Sequence, residues 1–538
     1  MHQGANTTNK YDANLGRYAI AFAIALVALL PRLDGLKYFP GMYLWAEDGT
    51  IFLNQAQEMG WAAVKLPYAG YIHFFPRIVT AISQLFSLAY QPTILLLGWL
   101  VAYLTMMYAV IGTAIRSSRS IVAVGVLVAL VSLQPNHGEV FFTITNSQWM
   151  IGAALFIFAL VETEGSELHK KAKGAFLLPL ALTGPFSIIL SPLLLARVLL
   201  KKDWAGQKYI YLSVFCGALI QTGVLLTSPR VDSGPISKSL GGWIGTFLKL
   251  AIFGADTVPT ILVALAFWAI IAFLAYTILR GRKLADKLMH PAILLLGAAA
   301  LMLLAGMYTQ KNNPGILVAM GVGNRYTWVP FVLILLSAFL LANGRKMLGA
   351  GIALLFLVIC MSRFHQVGSP DLQFQAFAKL AQVQPVVIPI NPQWPQYPGW
   401  HLMGQPKNGT APPLAVSKLG LENVATGGLT SEYAGEQLFI TSTGNDPTVT
   451  FTRKQTCPNS KFAALNIQLT REKEGWMQLF WDENGGFAET SSLRRWYPAG
   501  AVMAQFAFPM PASGIVLRFD PQEIEGPATI QKVELYCL

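Results

Sequence analysis

The sequence predicts a polytopic α-helical membrane protein of about eleven membrane helices with a C-terminal β-sandwich. Three observations predict it. Hydrophobic residues make up 54% of the 538-residue chain and charged residues only 12%, about half the charge of a soluble domain. Apolar runs near the ~20-residue spanning length recur through the first two thirds of the chain. From about residue 370 the pattern changes to short alternating segments between Gly, Pro and Asn, the period-2 signature of half-buried strands.

The apolar runs fall at about 17–35, 92–115, 120–136, 147–162, 208–228, 258–280, 289–308, 326–343 and 346–363. The first does not read as a cleaved signal, because Pro31, Arg32 and an acidic loop follow it in place of a small-residue cleavage site. Basic clusters separate the runs: Lys10 and Arg17; Arg116 and Arg119; Lys170, Lys171 and Lys173; Lys201, Lys202 and Lys208; Arg280, Arg282, Lys283 and Lys287; Arg345 and Lys346. The net charge of +12 resides largely in these clusters, so it reports topology and no nucleic-acid partner is expected. If every cluster is cytoplasmic, the N-terminus is inside and the C-terminal region outside.

Two segments need adjustment to keep that alternation. Residues 72–90 carry Arg77, Ser83 and Gln84 on an apolar repeat and read as an interfacial amphipathic helix. Residues 174–200 have lysines at both ends and are too short for two full spans. They read as two short half-helices broken at Gly184-Pro185, and count as two of the eleven. Residues 1–363 then form the membrane domain and 364–538 the β-rich domain. Within the latter, "FAALNIQL", "GWMQLFW", "AVMAQFAF", "GIVLRF" and "ATIQKVELYCL" alternate as strands do. Cys457 and Cys537 bracket this region, and a disulfide between them is favoured over two free thiols; Cys216 and Cys360 fall in apolar runs as packing residues.

This topology gathers the unusual polar residues on the outer side. The first outer loop holds Glu47, Asp48, Tyr68, Tyr71, His73 and Arg77; the second holds His137, Glu139, Asn146, Gln148 and Trp149. The tip of the broken segment adds Thr183 and Ser187, and a later loop adds Lys311, Asn324, Arg325 and Tyr326. Polar groups at the mouth of a helical bundle are costly unless satisfied, so their gathering suggests a site. Asp48, with Glu47 beside it, would serve as a general base toward a hydroxyl. Arg325, Arg77 and Lys311 would hold a phosphate. Tyr68, Tyr71, Asn146, Gln148, Trp149 and Tyr326 suit stacking and hydrogen bonding to a sugar ring. The set fits glycosyl transfer from a lipid-linked phosphosugar.

Each residue also has a plainer role. Asp48 would cap the helix that follows. Arg77 would snorkel to headgroups, and Arg325 would form a structural ion pair. His73 and His137 lie in no metal-spaced cluster, and the aromatics belong equally to an interfacial belt. No P-loop, dinucleotide fingerprint or Ser-His-Asp pattern is present, which disfavours a soluble nucleotide-sugar donor.

The motifs "AEDGTIF", "PYAGYIHFFPR", "TNSQW", "LTGPFSIILSP" and "GNRYTWVPF", in that order and on one side, resemble a bacterial branch of the GT-C superfamily of membrane glycosyltransferases. The likeness covers about residues 1–363. It implies a polyprenyl-phosphate-linked sugar donor, a glycan or protein acceptor, membrane lipids as surroundings, no cofactor and no metal. It implies Asp48 as catalytic base with Glu47 assisting, Arg325 at the donor phosphate, and His73 and His137 among the sugar- and acceptor-binding residues. It implies the bacterial inner membrane, with the C-terminal domain periplasmic. The segment "LFWDENGGFAETSSL" and the strands after it resemble a sandwich attached to surface-polysaccharide glycosyltransferases, where it binds glycan or acceptor. The size and appended domain are compatible with a pilin arabinosyltransferase. A lipid-linked-sugar flippase is the competing class; it predicts inverted repeats and a polar path continuing to the cytoplasmic side.

Overall fold

A computed structural model of the chain describes residues 5–36, 44–135, 139–161, 166–228, 243–244, 258–313, 317, 323–342, 345–363, 369–406, 416–444 and 446–538. In chain order the helices are α1 (Ala5–Val27), α2 (Asn54–Met59), α3 (Phe74–Ser83), α4 (Gln91–Ser117) and α5 (Ile121–Ser132). Next come α6 (Ser147–Leu160), α7 (Glu167–Ala181), α8 (Phe186–Lys201), α9 (Trp204–Thr227) and α10 (Val258–Leu279). The last are α11 (Leu284–Leu288), α12 (Pro291–Thr309), α13 (Arg325–Ala342), α14 (Lys346–Arg363) and α15 (Phe374–Leu380). The chain divides into two compact units: residues 1–37, 61–79 and 95–368, and residues 38–60, 80–94 and 369–538. The second unit therefore draws in two N-terminal segments that a single cut at 363/364 leaves with the membrane region.

Among the described residues, five helices are long and apolar enough to cross a membrane: Asn14–Leu33, Leu88–Ser117, Trp204–Thr227, Pro291–Thr309 and Arg325–Ala342. The expected eleven are not confirmed among the described residues. Several expected spans are shorter apolar helices, including Ile121–Ser132 and Ser147–Leu160. The 72–90 stretch contains only the ten-residue α3 and a short turn at Leu88–Tyr90, too short for a span at 1.5 Å per residue. Local chemistry sets several ends. Ser120 caps α5 by accepting from the Ala123 N–H at 3.2 Å, and Ser166 caps α7 through the His169 N–H. Between α7 and α8 the chain breaks at residues 182–185, where Gly184 takes φ +76°. That conformation is open to glycine at little cost. The expected break at Gly184-Pro185 is therefore present, and α7 and α8 both pack on α9.

The second unit is built on two antiparallel sheets. One has the order β13–β10–β15–β8–β7, with β5 also on β15: β5 (Val416–Lys418), β7 (Leu429–Ala434), β8 (Gln437–Ser442), β10 (Phe462–Arg471), β13 (Gly500–Pro509) and β15 (Gly526–Cys537). The other has the order β12–β11–β14–β9–β6: β6 (Val424–Gly427), β9 (Thr448–Gln455), β11 (Gly475–Asp482), β12 (Ser492–Tyr497) and β14 (Ile515–Asp520). Alternate residues such as Leu465, Ile467, Leu479, Phe506, Leu517 and Phe519 are buried, the alternation a sandwich core requires. Cys457 and Cys537 are disulfide-bonded across 80 residues, which in the chain-entropy picture stabilises by about 4 kcal/mol. Cys216 and Cys360 are free.

Candidate functional site

The helical unit concentrates its buried polar side chains where its backbone is irregular. A small hairpin, β1 (Pro67–Tyr68) with β2 (Tyr71–Ile72), leads into α3. Its end lies against the 182–185 break: the Gly184 N–H donates to the Ile72 carbonyl at 2.9 Å, and the Phe75 N–H donates to Thr183 Oγ1 at 3.1 Å. Gln221, on α9 and fully buried, joins the two strands of chain. Its amide accepts from the Ile72 N–H at 2.9 Å and donates to the carbonyls of Ile72 (3.0 Å) and Leu182 (2.7 Å). In an apolar bundle such groups must find protein partners, and one amide supplies three bonds. Sequence reasoning misses Gln221; its only signal is a lone amide inside the apolar run 208–228.

His73 sits at this junction, buried, with Tyr71 stacked on it at 4.6 Å and Tyr68 tilted at 5.6 Å. Burial, with Arg77 nearby, holds its imidazole well below the usual value, at about 3, so it is neutral at physiological pH. Arg77, one turn on, is also buried. On the other side of the break, Gln148 and Trp149 open α6. An added Cβ on Gly184 would lie 3.0 Å from Gln148 Oε1 and 2.8 Å from the Phe186 ring, so this glycine permits the close approach. Gln148 Oε1 and Trp149 Nε1 are buried and have no hydrogen-bond partner among the described residues. Groups of this kind are expensive unless a ligand or solvent meets them.

The Trp149 ring packs edge-on against Phe186 (5.4 Å) and Tyr326 (5.3 Å). Tyr326 carries the Arg325 guanidinium over its face at 5.5 Å, and Arg325 Nη1 is ion-paired with Glu139. Glu139 is fixed in turn, since Thr143 Oγ1 and Asn146 Nδ2 both donate to its backbone carbonyl at 3.0 Å. The loop is anchored by the Trp99 indole N–H donating to the Val140 carbonyl at 3.0 Å. Arg325 thus has the ion-pair partner that its plainer role required, with a side chain 32% exposed.

The fold therefore brings Tyr68, Tyr71, His73, Arg77, Asn146, Gln148, Trp149, Arg325 and Tyr326 into one connected cluster around the helix break. Lys311 stands just beyond the end of α12 and lies against the Tyr308 ring at 5.9 Å. His137 lies outside the described residues. Among the described residues no group of three His, Cys, Asp or Glu side chains is placed to hold a metal ion.

Glu47 and Asp48 belong to the second unit. Asp48 begins a π-helical turn (Asp48–Leu53) and is 1% exposed. Its carboxylate accepts from the Trp45 N–H behind it at 3.3 Å. This turn runs along the open edge of β4 (His401–Gly404), whose other edge pairs with β3 (Val386–Pro389). Thr50 Oγ1 accepts from the His401 N–H (2.8 Å) and donates to its carbonyl (2.9 Å), while Asn54 Oδ1 accepts from the Met403 N–H (2.8 Å). Side chains four residues apart on one helical face thus satisfy an exposed strand edge. Gly49 makes the approach feasible, because a Cβ there would come within 2.6 Å of Ile390 Cδ1.

The outward rows of β11, β12 and β14 carry a second polar and aromatic region. Trp476 and Trp496 face each other across strands at 5.5 Å, with Arg494 over Trp476 at 4.6 Å. Beside them a cavity of about 340 Å³ is lined by Gln478, Phe480, Arg518, Asp520 and Glu523. Arg518 lies over the Phe480 ring and pairs with Asp520 at 2.8 Å. Burial nevertheless pushes the Asp520 carboxyl up to about 6.

Fold and cluster together define a helical unit with membrane-length helices joined to a β-sandwich unit. No protein-family model matches the sequence, and no curated protein matches it. Solved structures similar to its sandwich include the C-terminal CBM6 of the laminarinase LamC from Zobellia galactanivorans, at 10% identity and TM-score 0.18 over 23% of this chain and 99% of that one. A CBM6 from Cellvibrio mixtus lichenase 5A in complex with cellotriose matches at 11% and 0.19 over 23% and 97%. A family 29 carbohydrate binding module from Piromyces equi matches at 11% and 0.18 over 23% and 89%. At these scores the likeness carries no functional argument.

Proposed function

We propose that the protein is an integral-membrane glycosyltransferase that moves a sugar from a polyprenyl-phosphate donor to a hydroxyl acceptor. The observation that carries this reading is the cluster at the 182–185 break. There two buried polar atoms, Gln148 Oε1 and Trp149 Nε1, lie without partners among the described residues, near an accessible arginine on an aromatic face. A sugar phosphate supplies hydroxyls for the unpartnered amide oxygen and indole N–H, and its anion would share the Arg325 guanidinium with Glu139. His73, neutral and stacked, adds a hydrogen-bonding wall and not a charge.

In the reaction, the acceptor oxygen attacks the anomeric carbon and the bond from that carbon to the phosphate oxygen breaks. Its electron pair leaves with polyprenyl phosphate, which is a stable anion and needs no strong general acid. Asp48, the buried carboxylate of the second unit, takes the acceptor proton, and Glu47 assists. Arg325 and Arg77 hold the donor phosphate, with Lys311 as a further cation. The aromatic and acidic groove on β11, β12 and β14 supports a glycan as acceptor, since indole faces flanked by charged groups match the apolar faces and hydroxyl edges of sugar rings. Transfer of arabinofuranose to a pilin is a narrower form of the same reading, compatible with the appended β domain.

The test is incubation of the full-length protein, in lipid nanodiscs, with defined polyprenyl-phosphate sugars, following release of polyprenyl phosphate. Release is expected with one donor class, and Asp48→Asn should lower it by about 10²–10⁴-fold while the protein remains folded. Full activity in that variant would remove Asp48 from the chemistry. Lipid-linked sugar crossing a liposome membrane without cleavage would replace transfer by transport.

A further inference from the structure

A second groove lies in the helical unit, lined by none of the residues of the cluster at the helix break. A groove of about 530 Å³ runs between α5, α13 and α14. Its walls are apolar, with Val126, Leu335, Phe339 and Phe356, and it is open because Ala342, Gly349 and Ala353 keep the helix flanks shallow. One end is different. There the α4–α5 turn contributes Ser118, Arg119 and Ser120, and the turn before α14 contributes Arg345. Both arginines stand just before helix N-termini, whose macrodipoles add positive potential at the same end. Arg345 is held in place by donating from Nη1 to Thr277 Oγ1 at 2.6 Å, which uses one of its five N–H donors. No carboxylate is ion-paired with either arginine among the described residues.

An apolar trough that ends in two cations and two hydroxyls is complementary to one kind of amphiphile. We propose that this groove binds an anionic phospholipid, with an acyl chain along α5, α13 and α14 and its phosphate between Arg119 and Arg345. The hydroxyls of Ser118 and Ser120 supply further donors to the phosphate oxygens. A zwitterionic lipid would fill the trough equally well but would present its own cation to the arginines. The charge pattern therefore selects anionic headgroups. This assignment is independent of the sugar chemistry, since it uses neither the cluster at the helix break nor the acidic turn.

The experiment is native mass spectrometry of the delipidated full-length protein, titrated with phosphatidylglycerol and, separately, with phosphatidylcholine. Phosphatidylglycerol should be retained with up to about thirtyfold preference, the scale expected of two arginines near an anionic headgroup. Arg119→Gln with Arg345→Gln should abolish the preference, whereas Val126→Trp should reduce retention of both lipids by filling the trough. Arg119→Lys should keep most of the preference and show that loss in the double variant is one of charge and not of folding. An unchanged preference in the double variant would overturn the site. Displacement of phosphatidylglycerol by equimolar polyprenyl phosphate would overturn the assignment of its occupant.

Discussion

The two units treat buried polar groups in opposite ways. In the helical unit the backbone is interrupted at residues 72–75 and 182–185, and Gln221 is committed to closing those interruptions. In the sandwich the ladders pair the backbone almost completely, so side chains such as Arg518, Asp520 and Gln478 are free to line an outward groove. The difference teaches where to look for chemistry in each. Helical polar residues are informative at breaks, because elsewhere an apolar bundle excludes them. Sandwich polar residues are informative by row, because alternation places every second one outside.

The contrast can be broken first at its covalent point. Replacing Cys457 and Cys537 by Ser should destabilise the sandwich by about 4 kcal/mol and leave the helical unit unaffected. Hydrogen exchange along the full-length chain checks this, and equal loosening of both units would show that they do not unfold separately. Next, Gln221→Leu removes three buried hydrogen bonds at once and should cost the helical unit about 3 kcal/mol, read as a lower melting temperature in detergent. A loss below about 0.5 kcal/mol would mean that the break is satisfied by other means.

Arg325→Ala should raise the donor KM several-fold more than the acceptor KM; equal changes would identify an arginine that serves only its pair with Glu139. The smallest effect is a pH dependence confined to the sandwich. The folded-state pKa of Asp520 is raised from 3.8 to about 6, so the folded chain binds that proton more tightly than the unfolded one. Its contribution is fully present below about pH 4 and is lost as pH rises through about 6. Subtracting the melting curve of Asp520→Asn from that of the unaltered protein should isolate this slope, and a flat difference across pH 4–7 would exclude it.

Much of the fold was legible because it follows from local periodicity and turn chemistry. The break at Gly184-Pro185, the alternating strands and the Cys457–Cys537 pair all follow from residues close together or from a simple count. Five membrane-length helices stand among the described residues, and the eleven expected spans are not confirmed, because apolar runs in the sequence also correspond to shorter helices such as Ile121–Ser132. Within the candidate site, Gln148, Trp149, Arg325 and Tyr326 were legible as unusual polar or aromatic residues at the ends of apolar runs. Gln221 was not, since an amide near the end of an otherwise apolar helix has no periodic signature and its partners lie on distant segments. The surroundings of Asp48 were equally hidden, because Thr50 and its partner His401 are 351 residues apart and no local pattern connects them.

That separation bears on how the chain is made. The turn bearing Asp48 leaves the ribosome long before the strand that it borders, and until His401 and Met403 are synthesised Thr50 and Asn54 have nothing to bind. A nascent or prematurely terminated chain ending before about residue 400 therefore exposes an acidic turn without its strand. The turn carrying Asp48 therefore acquires its bordering strand only after residues 401–404 have been added.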